Sequence, residues 1–453
     1  MRAIRPSAVL VLPTLFFLFT TGGTPAAFGQ ELTVRVGDQF QANTYTTGGQ
    51  RSAVVGMGPN GEFLVVWDSD GADNDTSNES VQAQRYARNG APQGVQFEIN
   101  TYTTSSQRDP AVAVDGAGGF IVVWQSFESD NGDDDTWSVQ AQRFGSDGTP
   151  LGEQLLVNTT TTSLQWRPAV ASDAVGNFVV VWESSGEAGD DASSIQGQRF
   201  ASSGAMQGAQ FQVNTYTRND QASPQVAMDA AGNFVVVWES YGSDSDSSYY
   251  SVQAQRYASD GSAQGAQFQA NTYTTGFQWS PSVGMEPAGD FIIVWSSERP
   301  DNGDSVPFSI QGQRYASDGS LLGASFLVNT YTTSDQGFPA VAVDSRGDFI
   351  VAWQSSGSAG TDTSSQSIQA QRFASDASPI GDQFQVNTYT NDTQTRPAVA
   401  ASPVGDFVVA WDSYGSDGGD TSNDSVAGQL FHVLMFADGF ESGDTSLWSF
   451  TEP

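Results

Sequence analysis

Carboxylates are the side chains with most chemical capacity in this chain, and they are gathered rather than spread. Seven short runs rich in Asp, Gly and Ser each follow a tryptophan, and together they hold roughly half of the 51 acidic residues. The first run contains Asp68, Asp70, Asp73 and Asp75, the second Asp130, Asp133 and Asp135, and the seventh Asp417 and Asp420. Alternating carboxylates in a glycine-containing loop suit a hard cation such as Ca²⁺, which takes about six to eight oxygens. These nine aspartates are therefore the candidate calcium ligands. No run has the EF-hand spacing with its terminal bidentate Glu, and the sixth holds a single acid, Asp362, so cation binding is not a property of every run. The competing reading is a solvated acidic loop that maintains solubility.

A second constellation follows a recurrent glutamine, found at Gln50, Gln107, Gln165, Gln221, Gln278, Gln336 and Gln394. Proline stands three residues later in six cases, with Ala53 in the first. Regular Gln and Pro read as structure: an amide tying down a loop, and a fixed φ starting a strand. The residues between them break the regularity. Arg51, Arg108, Arg167 and Arg396 fall in the first, second, third and seventh cases, and Trp279 and Phe338 in the fifth and sixth. A guanidinium presents a planar fork to carboxylate or phosphate, and an aromatic wall suits a sugar face. These six are the candidate ligand-binding residues. The competing reading pairs the arginines with neighbouring acids.

Hydrolytic chemistry finds little support. The single histidine, His432, and the absence of cysteine leave no Ser-His-Asp arrangement at a central site and no zinc ligand set. A pair of carboxylates would suffice for a glycosidase, but 51 acids make such a pair uninformative. No catalytic residue is assigned. The alternative to a binding role is a carbohydrate-active hydrolase or lyase.

The elements that must position these residues come from a repeat. Asn-Thr-Tyr-Thr begins at Asn43, Asn100, Asn214, Asn271, Asn329 and Asn387, with Asn-Thr-Thr-Thr at Asn158. Tryptophan closes an apolar run at Trp67, Trp124, Trp182, Trp238, Trp295, Trp353 and Trp411. A period of about 57 residues marks units that bury their apolar faces only by stacking. Each unit reads as four short strands: a small Pro-x-Val-Ala strand, the continuous apolar run, a Gln-x-Gln-Arg strand, and an alternating Phe-Gln-Val-Asn strand. The expected fold is all-β, a seven-bladed β-propeller with four antiparallel strands per blade. The chain opens on a spare outer-type strand at 39–43 and ends on a third-type strand at 425–431. Pairing them predicts that the N-terminal strand completes the last blade and closes the ring. Closure makes the four arginine-bearing blades consecutive, so a cationic arc should face an aromatic wall across the mouth. Arg85, Arg143, Arg199, Arg256, Arg314 and Arg372 share one position of the third strand, with Leu430 in the seventh unit, and read as scaffold.

The pattern Asn-Thr-Tyr-Thr, Gln, Pro-x-Val-Ala, Phe-Val-Val-x-Trp, Gln-x-Gln-Arg-Phe resembles tandem repeats of secreted bacterial propeller proteins, a likeness that implies architecture and no defined activity. The segment DGFESGDTSLWS at 438–449 is similar to a C-terminal motif of bacterial exported proteins and implies export. The turn Ser259-Asp260-Gly261 is similar to the Asp-box turn of sialidase propellers, without that motif's tryptophan spacing. Residues 1–29 read as a signal peptide, with Arg2 and Arg5 before an apolar run and small residues before Gln30. The propeller then spans 30–433, and 434–453 form a tail with a sorting motif. The expected location is secreted, cell-surface or periplasmic. A net charge of −34 argues against nucleic acid or anionic membrane as partners. A monomer that binds a glycan, a small anion or another cell-surface ligand, without inserting into the membrane, is the expectation.

Overall fold

A computed structural model describes residues 30–436 apart from 73–74, 130–132, 162, 186–191, 244–245, 299–307, 358–359, 363–364 and 416–423. Two units are distinguished. The larger is Thr33–Val433; the other comprises Met1–Leu32 and Leu434–Pro453, of which only strand ends at 30–32 and 434–436 are described. The signal peptide and the C-terminal motif lie outside the described residues.

The larger unit is a β-propeller of seven four-stranded antiparallel sheets. Within blade 1 the order is Gln50–Met57, Phe63–Ala72, Asp75–Tyr86, Pro92–Glu98, and blades 2 to 6 repeat it. The first strands of neighbouring blades touch in cyclic order, including Gln50–Met57 against Gln394–Ala401. The Pro-x-Val-Ala strands are therefore innermost. Space there is short: a Cβ on Gly56 would lie 2.7 Å from the Val114 side chain of the next blade.

The continuous apolar run is explained by two-sided burial. Successive side chains of a strand point to opposite faces. Phe63, Val65 and Trp67 join a cluster with Val408, Ala410 and Val426 of blade 7, whereas Leu64 and Val66 join Phe120, Val122 and Trp124 of blade 2. Each blade thus supplies one wall to each of two seams, and no residue of the run is left for solvent.

Closure follows the spare-strand expectation. The sheet of blade 7 runs Gln30–Gln41, Asp424–Phe436, Phe407–Tyr414, Gln394–Ala401 from outside in. The repeated asparagine explains the fit. In blade 1 Asn100 Oδ1 accepts the Val81 N–H at 2.8 Å, and at the closing seam Asn43 Oδ1 accepts the Val426 N–H at 2.9 Å. Ala42 adds a backbone bond to Val426 at 2.8 Å. The N-terminal segment does for blade 7 what the following repeat does for every other blade.

The third-strand arginines of blades 1 to 4 are scaffold, each donating to backbone carbonyls of the next blade. Arg199 donates to the Ser259 and Asp260 carbonyls of the next blade at 2.7 and 2.6 Å. Where Leu430 replaces the arginine, Arg88 pairs instead with Asp406 at 2.9 Å.

Candidate functional site

The mouth of the central channel is built where each inner strand begins. The recurrent glutamine is fully buried there, and its Oε1 accepts the indole N–H of its own blade's tryptophan: Trp67 to Gln50 at 3.1 Å, Trp182 to Gln165 at 2.6 Å, Trp353 to Gln336 at 2.8 Å. The ladder then slips in every blade, as between Arg51 and Val54. Two residues after each glutamine φ is positive: Ser52, Asp109, Arg167, Ser223, Ser280, Phe338 and Arg396 all lie between 48 and 57°. Such a conformation costs about 1–3 kcal/mol for a residue other than glycine.

The neighbouring blade holds it in place. The side chain that follows the tryptophan carries an oxygen in all seven repeats: Asp68, Gln125, Glu183, Glu239, Ser296, Gln354 and Asp412. Gln125 accepts the Arg167 N–H at 3.0 Å, Glu239 that of Ser280 at 2.7 Å, Ser296 that of Phe338 at 3.2 Å and Gln354 that of Arg396 at 3.2 Å. Asp412 accepts both Ser52 and Ala53, each at 3.1 Å. The seam between blades 1 and 2 departs from this. Asp68 bonds the Ser52 side chain, and its Oδ1 is buried with no hydrogen-bond partner among the described residues. Sequence reading missed this ring, although an oxygen-bearing side chain after every tryptophan was its signal.

Burial raises Asp109, and the charges of Arg108, Arg167 and Arg396, of blades 2, 3 and 7, oppose the rise. The Trp279 and Phe338 rings meet edge to face at 4.9 Å, and Phe308 lies 6.0 Å from Trp279. The competing reading holds for two arginines. Arg51 Nε lies 3.9 Å from Asp424 Oδ2, and Arg167 Nη1 lies 3.3 Å from Glu183 Oε2. Arg108 and Arg396 have no carboxylate partner within ion-pair distance among the described residues. The Arg108 guanidinium instead covers the Trp137 ring at 4.4 Å, with its Nε unpartnered.

The carboxyls around these arginines are held toward their neutral forms. Burial pushes Asp68 up to about 8, with Asp109 and Asp412 adding to the rise. Burial also raises Asp412, to about 6, although the Ala53 and Ser52 N–H groups oppose it. Asp109, Glu183 and Glu239 are raised as well, chiefly by burial.

The acidic runs are placed differently from expectation. In blades 1, 2 and 4 the second and third strands continue past the tryptophan as a hairpin, so Asp68 and Asp70 lie on a strand and not in a loop. The Ser and Asp residues there simply extend the ladder, with Asp70 opposite Glu79. Asp68, 3% exposed, points into the seam between blades and is withdrawn from any loop site. Asp75, Asp133 and Asp135 occupy strand positions, but their side chains lie outside the described set. Asp73, Asp130, Asp417 and Asp420 lie outside the described residues altogether. Among the described residues no group of three or more acidic or histidine side chains could hold a metal ion.

No protein-family model and no curated protein matches the chain. Solved structures do. A protein of unknown function from Dyadobacter fermentans superposes with a TM-score of 0.52 at 10% identity, over 89% of this chain and 99% of its own. A puromycin hydrolase gives 0.51 at 12% identity, over 86% of this chain and 52% of its own. The α-L-arabinofuranosidase Arb93A of Fusarium graminearum gives 0.46 at 12% identity, over 72% and 92%. At these identities the likeness is one of fold.

Proposed function

We propose that the protein is an exported, non-catalytic binding propeller whose mouth takes the end of a short acidic glycan. The observation that carries this reading is that the Arg108 and Arg396 guanidiniums, on blades 2 and 7, have no carboxylate within ion-pair distance among the described residues, while Trp279 and Phe338 of blades 5 and 6 form an aromatic pair. An unpaired guanidinium in a chain this acidic retains its capacity for a charge-assisted bond, worth about 1.5–3 kcal/mol. Neighbouring carboxyls that burial holds toward neutrality compete less for it. A sugar ring would lie against the aromatic edge while its carboxylate meets the arginines. The surrounding negative field repels extended polyanions, so the ligand is short.

A hydrolytic reading requires an acid and a base open to substrate. Asp68, the carboxyl pushed highest, is 3% exposed and committed to the blade seam, so it serves the scaffold. The leader at 1–29 and the motif at 438–449 support export.

Binding of oligohexuronates, their carboxyl-reduced counterparts and single-stranded DNA to the mature protein tests this reading. The acidic oligosaccharides should bind, the reduced forms at least tenfold more weakly, and DNA not at all. Equal binding of acidic and reduced forms would overturn it.

A further inference from the structure

The face opposite the mouth carries a second asymmetry, at the seam between blades 5 and 6. In blades 1 to 4 the third-strand arginine lies over the turn of the next blade and donates to its carbonyls: Arg85 to Ser146 and Asp147, Arg143 to Ser202, Arg199 to Ser259 and Asp260, Arg256 to Ser317; in blade 6, beside the closing N-terminal strand, Arg372 donates to Thr33 Oγ1 at 3.2 Å. All four turns have glycine under the guanidinium, and the fit leaves no room for more. A Cβ on Gly148, Gly204, Gly261 or Gly319 would lie 3.1, 2.9, 2.8 or 2.6 Å from the arginine.

In blade 6 the turn reads Ser375-Asp376-Ala377. Ala377 keeps the positive φ, at 69°, so its methyl group occupies the volume the arginine fills elsewhere. Arg314 accordingly makes no such bond among the described residues. A cavity of about 260 Å³ opens beside it, lined by Arg314, Glu286, Asp290, Leu322, Arg346 and Ser375.

The opposing wall is also atypical. Asp115 caps its own turn by accepting the Ala117 and Gly119 N–H groups at 2.8 and 2.9 Å, and Asp173, Asp229 and Asp344 do the same. Blade 5 has Glu286 at that position. One methylene longer, it caps no N–H of its own turn among the described residues and presses closer on the next blade than the aspartates do: a Cβ on Gly347 would lie 2.5 Å from Glu286 Oε2, against 3.1, 3.3, 3.1 and 3.0 Å from the aspartates at Gly176, Gly232, Gly289 and Gly405. Burial raises its affinity for a proton, Asp290 adds to this, and Arg314 opposes it. Arg346 is already held by Asp344 at 2.7 Å and Asp348 at 3.5 Å. Arg314 and Glu286 therefore flank the cavity as opposite charges that do not meet.

We propose that this cavity is a second ligand site, for a small zwitterion of the α-amino-acid type, with its carboxylate on Arg314 and its ammonium between Glu286 and the Ser375 carbonyl. The volume lies below the roughly 300–1,000 Å³ of pockets for drug-sized ligands, which restricts the occupant to a small molecule. The site is independent of the mouth.

Calorimetric titration of the full chain with the common L-amino acids tests it. At least one should bind with a Kd below about 10 mM. The matching carboxylate without the amine, and the amine without the carboxylate, should each bind at least tenfold more weakly. Ala377→Gly should let Arg314 dock, abolishing binding while raising the melting temperature. Without any ligand, Arg314→Ala should leave the melting temperature nearly unchanged, whereas Arg256→Ala should lower it by about 1–3 °C. No saturable binding, equal binding of the single-charge analogues, binding retained in Ala377→Gly, or equal loss of stability in the two arginine variants would each overturn the proposal.

Discussion

Asp68 shows how far one side chain's role depends on what surrounds it. In sequence it opens an acidic run; in the fold it is a buried strand residue pushed up to about 8, mainly by burial. An acid whose folded pKa exceeds its unfolded value of about 3.9 binds more protons when folded, so its contribution to stability falls as pH rises between the two values. Asp68→Asn should therefore gain stability relative to the parent as pH increases from about 4 to 8, read as a growing difference between their denaturation midpoints; a constant difference would contradict the assignment. The recurrent Gln and Pro were legible as structure because they recur without exception or nearly so. The partner of the Gln was not, nor was the positive φ at Ser223 or Phe338. Proline disfavours the helical region for the residue before it, so nothing in the sequence announces a left-handed residue there. The compensating bond comes from a blade about 40 residues away in the chain, as Gln125 to Arg167 shows.

At the level of elements, closure was legible because a spare outer strand at one end of the chain matched an incomplete blade at the other. Its most specific contact is the Asn43 side chain on the buried Val426 N–H. Asn43→Ala leaves that donor unsatisfied and should cost about 1–3 kcal/mol, measured by denaturant unfolding; an unchanged midpoint would mean the closing seam is held by backbone pairing alone. The hairpin extensions of blades 1, 2 and 4 were not legible. Their Ser, Asp and Gly content carries turn chemistry, and the cross-strand partners that override it are visible only in the paired strands. One such pair is unfavourable, since Asp70 and Glu79 oppose each other as like charges. Asp70→Lys should raise stability by about 0.2–1 kcal/mol, with the gain shrinking in high salt.

For the whole molecule, seven near-identical blades fix a scaffold and leave function to the departures from symmetry. Arg51, Arg108, Arg167 and Arg396 read as one arc because ring closure places the last blade beside the first; three of them, Arg108, Arg167 and Arg396, oppose the rise that burial gives Asp109. The sequence did not show which of them are neutralised locally: the Glu183 that holds Arg167 is in the same blade, but nothing in its spacing distinguishes it from Glu239. Arg88 is tied to the buried Asp406, so removing it would disturb a blade seam, whereas Arg218 is exposed and unpaired among the described residues, which makes it the suitable control. The most direct test of the account is calorimetric titration of an oligohexuronate into Arg108→Ala/Arg396→Ala and Arg218→Ala, alongside the parent. The account predicts at least tenfold weaker binding for the double variant and parental affinity for the control. Equal affinity in all three proteins would contradict it.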